Sequence, residues 1–366
     1  MDYRTNRRTG DRISVLGLGT SALEQCGEAE GIETLRLAFD RGVNYFDLAT
    51  AESVNFRTFG KALGDVRDKV FYQIHFGAVY GEGKSYSWTT GLDAVRRSVD
   101  WQLSALGTDH IDYGFIHCLD EERDWQDYQD NGVLEHLLAL KKAGVVRHIG
   151  LSSHTPAVAQ RILDTGLVDM LMFSINPAYD YQHGEFAHGS GAQRAALYRR
   201  CQAKGVGISV MKAFSGGQLL DGKTSPFGVA LTEYQCLQYA LDRPGVVTVL
   251  HGVRRNADLV RLLGFFDAPE RERDYSAISA LTPREMEGTC VYCNHCQPCP
   301  AGLDIGLINK YYDLARAGDP LAADHYRTLS RGAEGCTRCG HCARRCPFHV
   351  DQPARMGEIA RYFQGT

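Results

Sequence analysis

No run of apolar residues in this 366-residue chain approaches the length of a transmembrane helix. The basic N-terminus, MDYRTNRRTGDR, has no apolar stretch behind it and so does not read as a secretory signal. A net charge of -4 gives no general reason to expect nucleic acid or a membrane surface as partner. Low-complexity tracts are lacking, and there is no internal repeat beyond an alternation of strands and helices. A Gly-x-Gly-x-x-Gly turn is also missing after the first candidate strand, which argues against an open dinucleotide-binding sheet. What remains is the expectation of a cytoplasmic globular protein, long enough for one large domain and a small one.

Cysteine, by contrast, is concentrated. Eight of the twelve cysteines lie in the last 77 residues, in two runs that each end in Cys-Pro. The first is Cys290-x-x-Cys293-x-x-Cys296-x-x-Cys299-Pro300, the second Cys336-x-x-Cys339-x-x-Cys342-x-x-x-Cys346-Pro347. Such runs are the signature of a pair of [4Fe–4S] clusters, in which three close thiolates wrap one cluster and the fourth reaches the other. The crossed assignment puts Cys290, Cys293, Cys296 and Cys346 on one cluster, and Cys336, Cys339, Cys342 and Cys299 on its neighbour. Structural zinc explains neither the third cysteine of each run nor the Cys-Pro ending. Disulfides fit poorly with a reducing compartment. Residues 325–366 hold seven arginines, no lysine and three acids, a local excess of +4. That excess suits either a solvated face or a dock for an acidic electron carrier such as ferredoxin or flavodoxin. Of the other cysteines, Cys26, Cys118, Cys201 and Cys236 read as small core or loop residues, with Cys118 set apart by its place beside His117.

Short β-branched or aromatic runs alternate with longer amphipathic stretches. The strands are expected at Val15–Leu18, Tyr45–Asp47, Val70–His75, Ile111–His117, Val146–Leu151, Met170–Ser174, Gly207–Met211 and Val246–Leu250. Helical patterns separate them, and Gly42, Gly144, Gly166 and Gly205 stand where helices should stop. Thr155-Pro156 reads as an N-cap followed by proline at the first helical position. Eight such units predict a (β/α)8 TIM barrel over 1–266, with its active site at the C-terminal strand ends. A charged connector follows over 267–287. Residues 288–366 then form a small, mainly helical ferredoxin-like domain, with helices expected at Ile305–Ala317 and Leu321–Leu329.

Several segments carry a family resemblance: YRTNRRTGDRISVLGLGT, NYFDLAT followed by FGKALG, DHIDYGFIHC, GVVRHIGLSSHTP and VVTVLHGVRRNADL. Over residues 1–266 the chain resembles the aldo-keto reductases. With its tail it is similar to the subgroup that carries a C-terminal [4Fe–4S] ferredoxin domain. The resemblance implies a catalytic tetrad of Asp, Tyr, Lys and His, of which Asp47 and His117 match. The tyrosine position holds Glu52 and the lysine position holds His75. A carbonyl reduction needs a proton donor at the forming alkoxide, a role open to Glu52, His75 or a nearby tyrosine, Tyr80 or Tyr86. For the nicotinamide cofactor, Ser152-Ser153 replaces a Ser-Asn pair and Met172 replaces a glutamine. Gly252, Arg254 and Arg255 begin a helix suited to the phosphates of NADP(H). Lys212 and Ser215 stand at the barrel mouth after the seventh strand.

The expected function is therefore an iron–sulfur oxidoreductase. Its barrel would act on a small-molecule substrate coupled to one-electron transfer through two clusters. NADP(H) is the expected nucleotide, with room left for a flavin or a mononuclear metal in the barrel. Two alternatives differ in class. One is a metal-dependent enzyme using Asp47, Glu52, His75 and His117, a ligand set suited to iron or zinc. The other is a non-catalytic redox sensor or electron-transfer adaptor. The long aromatic loops GAVYGEGKSYSW and NPAYDYQHGEFAHGS, with Trp88 and Phe186, suit a ring-bearing or sugar-like ligand.

Overall fold

The computed structural model describes residues 1–19, 23–49, 52–81, 84–281, 288–316, 319, 321–346 and 348–365. Residues 282–287 of the expected connector, and Pro347 of the second Cys-Pro, lie outside these. Among the described residues no helix is long and apolar enough to cross a membrane.

The strands, in chain order, are β1 (Tyr3–Thr5), β2 (Arg12–Ser14), β3 (Leu16–Gly19), β4 (Tyr45–Asp47), β5 (Phe71–Phe76), β6 (Ala78–Gly81), β7 (Lys84–Trp88), β8 (Ile111–Ile116), β9 (Val146–Ser153), β10 (Met170–Ser174), β11 (Gly207–Met211) and β12 (Val246–Gly252). Eight of them, β3, β4, β5 and β8 to β12, close into a parallel barrel in that order. β1 and β2 form an antiparallel hairpin, as do β6 and β7. The eight expected strands are therefore all present. The segment after the third barrel strand, read from sequence as a loop, folds into the β6–β7 hairpin instead.

Residues two apart on a strand share a face. Tyr45 and Asp47, Gln73 and His75, Tyr113 and Phe115, and Met170 and Met172 are all buried pairs of this kind. Tyr45, Tyr113, Phe115, Met170 and Met172 join one apolar cluster, with Ile13, Val247 and Leu250. Close packing there depends on Gly150, which pairs with Phe115 across β8 and β9. A Cβ at Gly150 would stand 2.4 Å from the Phe115 ring. Asp47, His75 and His117 sit at the C-terminal strand ends, above this filled interior.

The chain divides into two compact units. The first is Met1–Ile175 with Val206–Ala213 and Val246–Pro269, and it contains every barrel strand. The second is Asn176–Gly205, Phe214–Gly245 and Glu270–Thr366. Two segments from within the range 1–266, Asn176–Gly205 and Phe214–Gly245, thus group with the cysteine-rich tail. Helix Gly191–Lys204 in the second unit has a Ser190–Gln193 capping box, and Gly205 ends it at φ 72.

Two features hold the second unit together. Its tail is mainly helical, with Ile305–Arg316, Ala322–Arg327, His341–Arg345 and Gln352–Gln364. Leu303, Ile305, Ile308, Tyr312, Met356 and Ile359 form a core that also takes in Cys296 and Cys342. The second feature is a buried polar hub. The Asp180 carboxylate accepts hydrogen bonds from Arg194 Nε at 2.7 Å, Tyr198 at 2.6 Å and Tyr239 at 2.9 Å. Arg194 is fully buried, so losing its counter-ion leaves an uncompensated charge. Asp180→Ala is expected to destabilise this unit by about 3–5 kcal/mol. The loss should appear as a lower urea midpoint for bleaching of the cluster absorbance, with no matching change in the emission of Trp88, Trp101 and Trp125, all in the barrel unit.

Candidate active site and cluster loops

At the barrel's C-terminal end four side chains form one hydrogen-bonded line. His75 Nε2 lies 2.8 Å from Asp47 Oδ1, and His75 Nδ1 lies 2.9 Å from His117 Nδ1. His117 Nε2 in turn lies 2.9 Å from the Tyr86 hydroxyl. Gln73 stabilises the inner end, its amide donating to Asp47 Oδ1 at 3.0 Å while its Oε1 accepts from Tyr45 at 2.6 Å. The Gln73 amide also meets Met172 Sδ at 3.3 Å. Met172 is thus turned into the barrel.

Proton positions follow from the partners. A carboxylate only accepts, so the shorter contact to Asp47, against 3.0 Å to the Gln73 amide, assigns the His75 proton to Nε2 and leaves its Nδ1 to accept. His117 must then donate from Nδ1, which leaves its Nε2 to accept from Tyr86. Every donor points the same way, from Tyr86 towards Asp47. Burial, reinforced by the neighbouring His75 and His154, holds the His117 pKa well below the usual histidine value. Burial, with a smaller push from Cys118, raises the Tyr86 phenol to about 12. Both groups are neutral near pH 7.

The β6–β7 hairpin delivers Tyr86. Ala78 pairs with Trp88 and Val79 with Ser87, and Trp88 Nε1 donates to the His117 carbonyl at 3.2 Å. Ser98 ties the hairpin to helix Leu92–Leu106, accepting from Tyr80 N and donating to the Ala78 carbonyl. Tyr86 and Trp88 remain 42% exposed, at the open end of the relay.

The sequence-derived residues are therefore placed unequally. Asp47, His75 and His117 come together. Glu52 precedes helix Val54–Leu63 with its side chain exposed, and the line ends at Tyr86 instead. The expected metal-ligand set of Asp47, Glu52, His75 and His117 does not converge either. Each His75 nitrogen faces a different partner across the ring, so the donor atoms run in a line. Tyr80 packs on Tyr86 with ring centroids 6.0 Å apart.

The residues expected to bind nucleotide are also spread in character. Ser152 is buried on β9, and the Ser153 hydroxyl bonds Asp120 Oδ1 at 3.2 Å. Lys212 follows β11 with φ 58. Ser215, in the second unit, is buried and bonds Gln218. Gly252 closes β12, paired with Gly19. Arg254 and Arg255 are exposed just before helix Asn256–Leu263, and the Arg254 amide donates to Asp258 at 3.2 Å. Two exposed arginines before a helix N-terminus are chemically suited to an anionic nucleotide, although Asp258, on which Arg255 acts, shares that end.

In the second unit the cysteines gather in the two crossed groups. A small cavity is lined by Cys299, Cys336, Cys339 and Cys342, with Leu303, Ile305 and Met356. Burial, with the neighbouring Cys290, Cys293 and Cys346, raises the Cys296 thiol pKa, which brings these four together as the second group. Arg338 N–H donates to Cys336 Sγ at 3.4 Å, the kind of bond that tunes a cluster thiolate. Thus the donor sets fit two [4Fe–4S] groups. Several tail arginines are engaged internally: Arg331 bonds the Ala301 carbonyl, Arg344 that of Cys339 and Arg345 that of His295. Arg355 pairs with Asp313 at 2.6 Å.

Comparison with known proteins agrees with this architecture. Residues 15–235 match the aldo/keto reductase family, and the chain belongs to that family. Residues 288–350 match a 4Fe-4S dicluster domain. L-galactose dehydrogenase of Arabidopsis thaliana is 28% identical over 184 residues, 47% of this chain and 56% of that protein. L-glyceraldehyde 3-phosphate reductase of Escherichia coli K12 is 25% identical over 240 residues, 61% of this chain and 64% of that protein. The chain thus spans less than two thirds of these relatives' lengths. In structure it resembles aldo-keto reductase AKR11C1 from Bacillus halodurans, with TM-score 0.62 and 21% identity over 77% of this chain and 97% of that one. That likeness concerns the fold.

Proposed function

We propose that the chain is an iron–sulfur oxidoreductase that interconverts a hydroxyl and a carbonyl on a small, ring-bearing or sugar-like substrate. The observation that carries this reading is the Tyr86–His117–His75–Asp47 line. Tyr86 is the acid/base. In oxidation its oxygen takes the substrate hydroxyl proton while its own proton passes to His117 Nε2. The Nδ1 proton of His117 moves to His75, and the Nε2 proton of His75 to Asp47. Reduction runs the same transfers backwards and delivers a proton to the carbonyl oxygen. Asp47 and His75 thus replace the family's lysine as the support for a tyrosine that comes from a different place in the chain.

When bound, NADP+ would take the substrate C–H hydrogen as hydride, and the two electrons it then carries match the capacity of two one-electron clusters. Cys290, Cys293, Cys296 and Cys346 would hold one cluster, Cys299, Cys336, Cys339 and Cys342 the other. Arg254 and Arg255 would hold the nucleotide phosphate. The +4 tail suits an acidic electron carrier of the ferredoxin or flavodoxin type. The test is anaerobic: holoprotein is assayed on a panel of sugars and aromatic alcohols with NADP+ or a viologen acceptor, and dithionite-reduced clusters are challenged with NADP+. Expected are turnover that His117→Ala abolishes and reoxidation of the clusters. Turnover indifferent to His117, or clusters inert to every acceptor and substrate, contradicts the proposal.

A further inference from the structure

A second constellation lies beside the relay. Cys118, Asp120 and His154 present one donor atom each, all within 4.8 Å of one another. Cys118 Sγ is 3.9 Å from His154 Nδ1 and 3.8 Å from Asp120 Oδ2, and these two are 2.9 Å apart. We infer that Cys118, Asp120 and His154 form a mononuclear zinc-binding site at the mouth of the barrel.

The geometry excludes the obvious rival, a Cys–His–Asp nucleophile. In such a triad the cysteine and the carboxylate face opposite ring nitrogens, so that one nitrogen can take the thiol proton. Here both approach the same nitrogen, Nδ1, which cannot serve both roles. Three donors meeting at one point is instead what a metal requires. Zinc–ligand lengths of roughly 2.3 Å to sulfur and 2.0–2.2 Å to nitrogen or oxygen, at tetrahedral angles, put neighbouring donors about 3.4–3.6 Å apart. The observed separations straddle that range, and shifts of about half an ångström bring all three into place.

The surroundings support the same reading. Cys118 holds a left-handed backbone, φ 52, two residues beyond the end of β8. A non-glycine residue rarely takes that conformation, and such outliers gather at functional sites. Asp120 is oriented through its other oxygen, Oδ1, which accepts from Ser153 Oγ at 3.2 Å and His154 N–H at 2.5 Å. A hydrogen-bonded carboxylate ligand of this kind is what metal sites recruit to fix ligand direction. His154 is only 6% exposed. One sulfur, one nitrogen and one oxygen form a borderline-soft set that favours zinc over magnesium or calcium. Three protein ligands leave a position for water or a substrate oxygen, one residue along the chain from His117. A metal there would polarise the same class of oxygen that Tyr86 serves, but the site does not depend on the relay.

The test uses anaerobic holoprotein with both clusters intact. Zinc is added, excess removed, and bound zinc measured by mass spectrometry with its ligands read by zinc-edge X-ray absorption. Expected is one zinc per chain with one sulfur and the rest nitrogen or oxygen. Cys118→Ser and Asp120→Asn, both close in shape to the parent, should each lower zinc retention at least 10-fold while cluster iron stays constant. No zinc retained by the parent, retention in both variants equal to the parent's, or an all-sulfur shell from metal in the cluster loops would overturn the assignment.

Discussion

Replacing Tyr86 with phenylalanine lowers kcat about 10³-fold on any substrate the enzyme turns over, within the 10²–10⁴ that a positioned proton-transfer group contributes. Stability stays within about 0.5 kcal/mol, because the hydroxyl sits on a half-exposed ring at the site's open end. Glu52→Gln, at the position where the family resemblance calls for tyrosine, changes kcat less than about 3-fold. The comparison of these two variants decides which residue is the acid/base. The pH profile gives an independent reading. His117 has a depressed pKa in the folded protein, so it remains neutral, and able to accept a proton, well below pH 6.5. The oxidation rate should therefore hold as pH falls from 8 to 6, where an ordinary histidine base would lose most of its activity. The same shift opposes folding in acid: the unfolded chain binds the His117 proton more readily, so this contribution to stability, full above pH 6.5, declines as pH drops towards the folded pKa. Steady-state rates and urea midpoints over pH 5–8 check both statements.

Cys299→Ser is expected to remove one cluster and spare the other. Cys299 belongs to the first cysteine run in sequence but lines the cavity formed by Cys336, Cys339 and Cys342. In the crossed arrangement its loss therefore leaves Cys290, Cys293, Cys296 and Cys346 untouched. Iron per chain should fall by about half, and coupling to a one-electron acceptor by at least 10²-fold. If the runs were uncrossed, Cys299→Ser and Cys296→Ser would cost the same cluster, and the double variant would lose no more iron than either single one. Crossed runs predict loss of nearly all iron in the double variant. Iron analysis with electron paramagnetic resonance of the reduced proteins separates the two cases.

Much of this architecture could be read from the chain. The eight barrel strands announce themselves as short β-branched runs between helices with glycine stops, and the cysteine spacing names its cofactor. Asp47, His75 and His117 were reachable because strand ends in this fold carry chemistry. Tyr86 was visible only as a nearby tyrosine. Its segment, GAVYGEGKSYSW, is rich in glycine and reads as loop, yet Ala78–Gly81 and Lys84–Trp88 pair into a hairpin that brings the phenol to His117. Gln73 and Tyr45 went unnoticed, although a period-two signal was available: each lies two residues before a site residue and so shares its face. Asp120 gave less warning, since the loop that turns it towards His154 follows from the left-handed Cys118, a conformation that composition does not encode. Helix Gln352–Gln364 was also missed, though Asp351 caps it by accepting from Ala354 N.

The direction of the relay is the central claim, and neutron diffraction from a deuterium-exchanged crystal of the oxidised holoprotein tests it most directly. The account predicts deuterium on Tyr86 Oη facing His117 Nε2, on His117 Nδ1 facing His75, and on His75 Nε2 facing Asp47. Deuterium on His117 Nε2, with Nδ1 bare, would reverse the line and contradict the assignment of Tyr86 as the group that draws a proton from substrate.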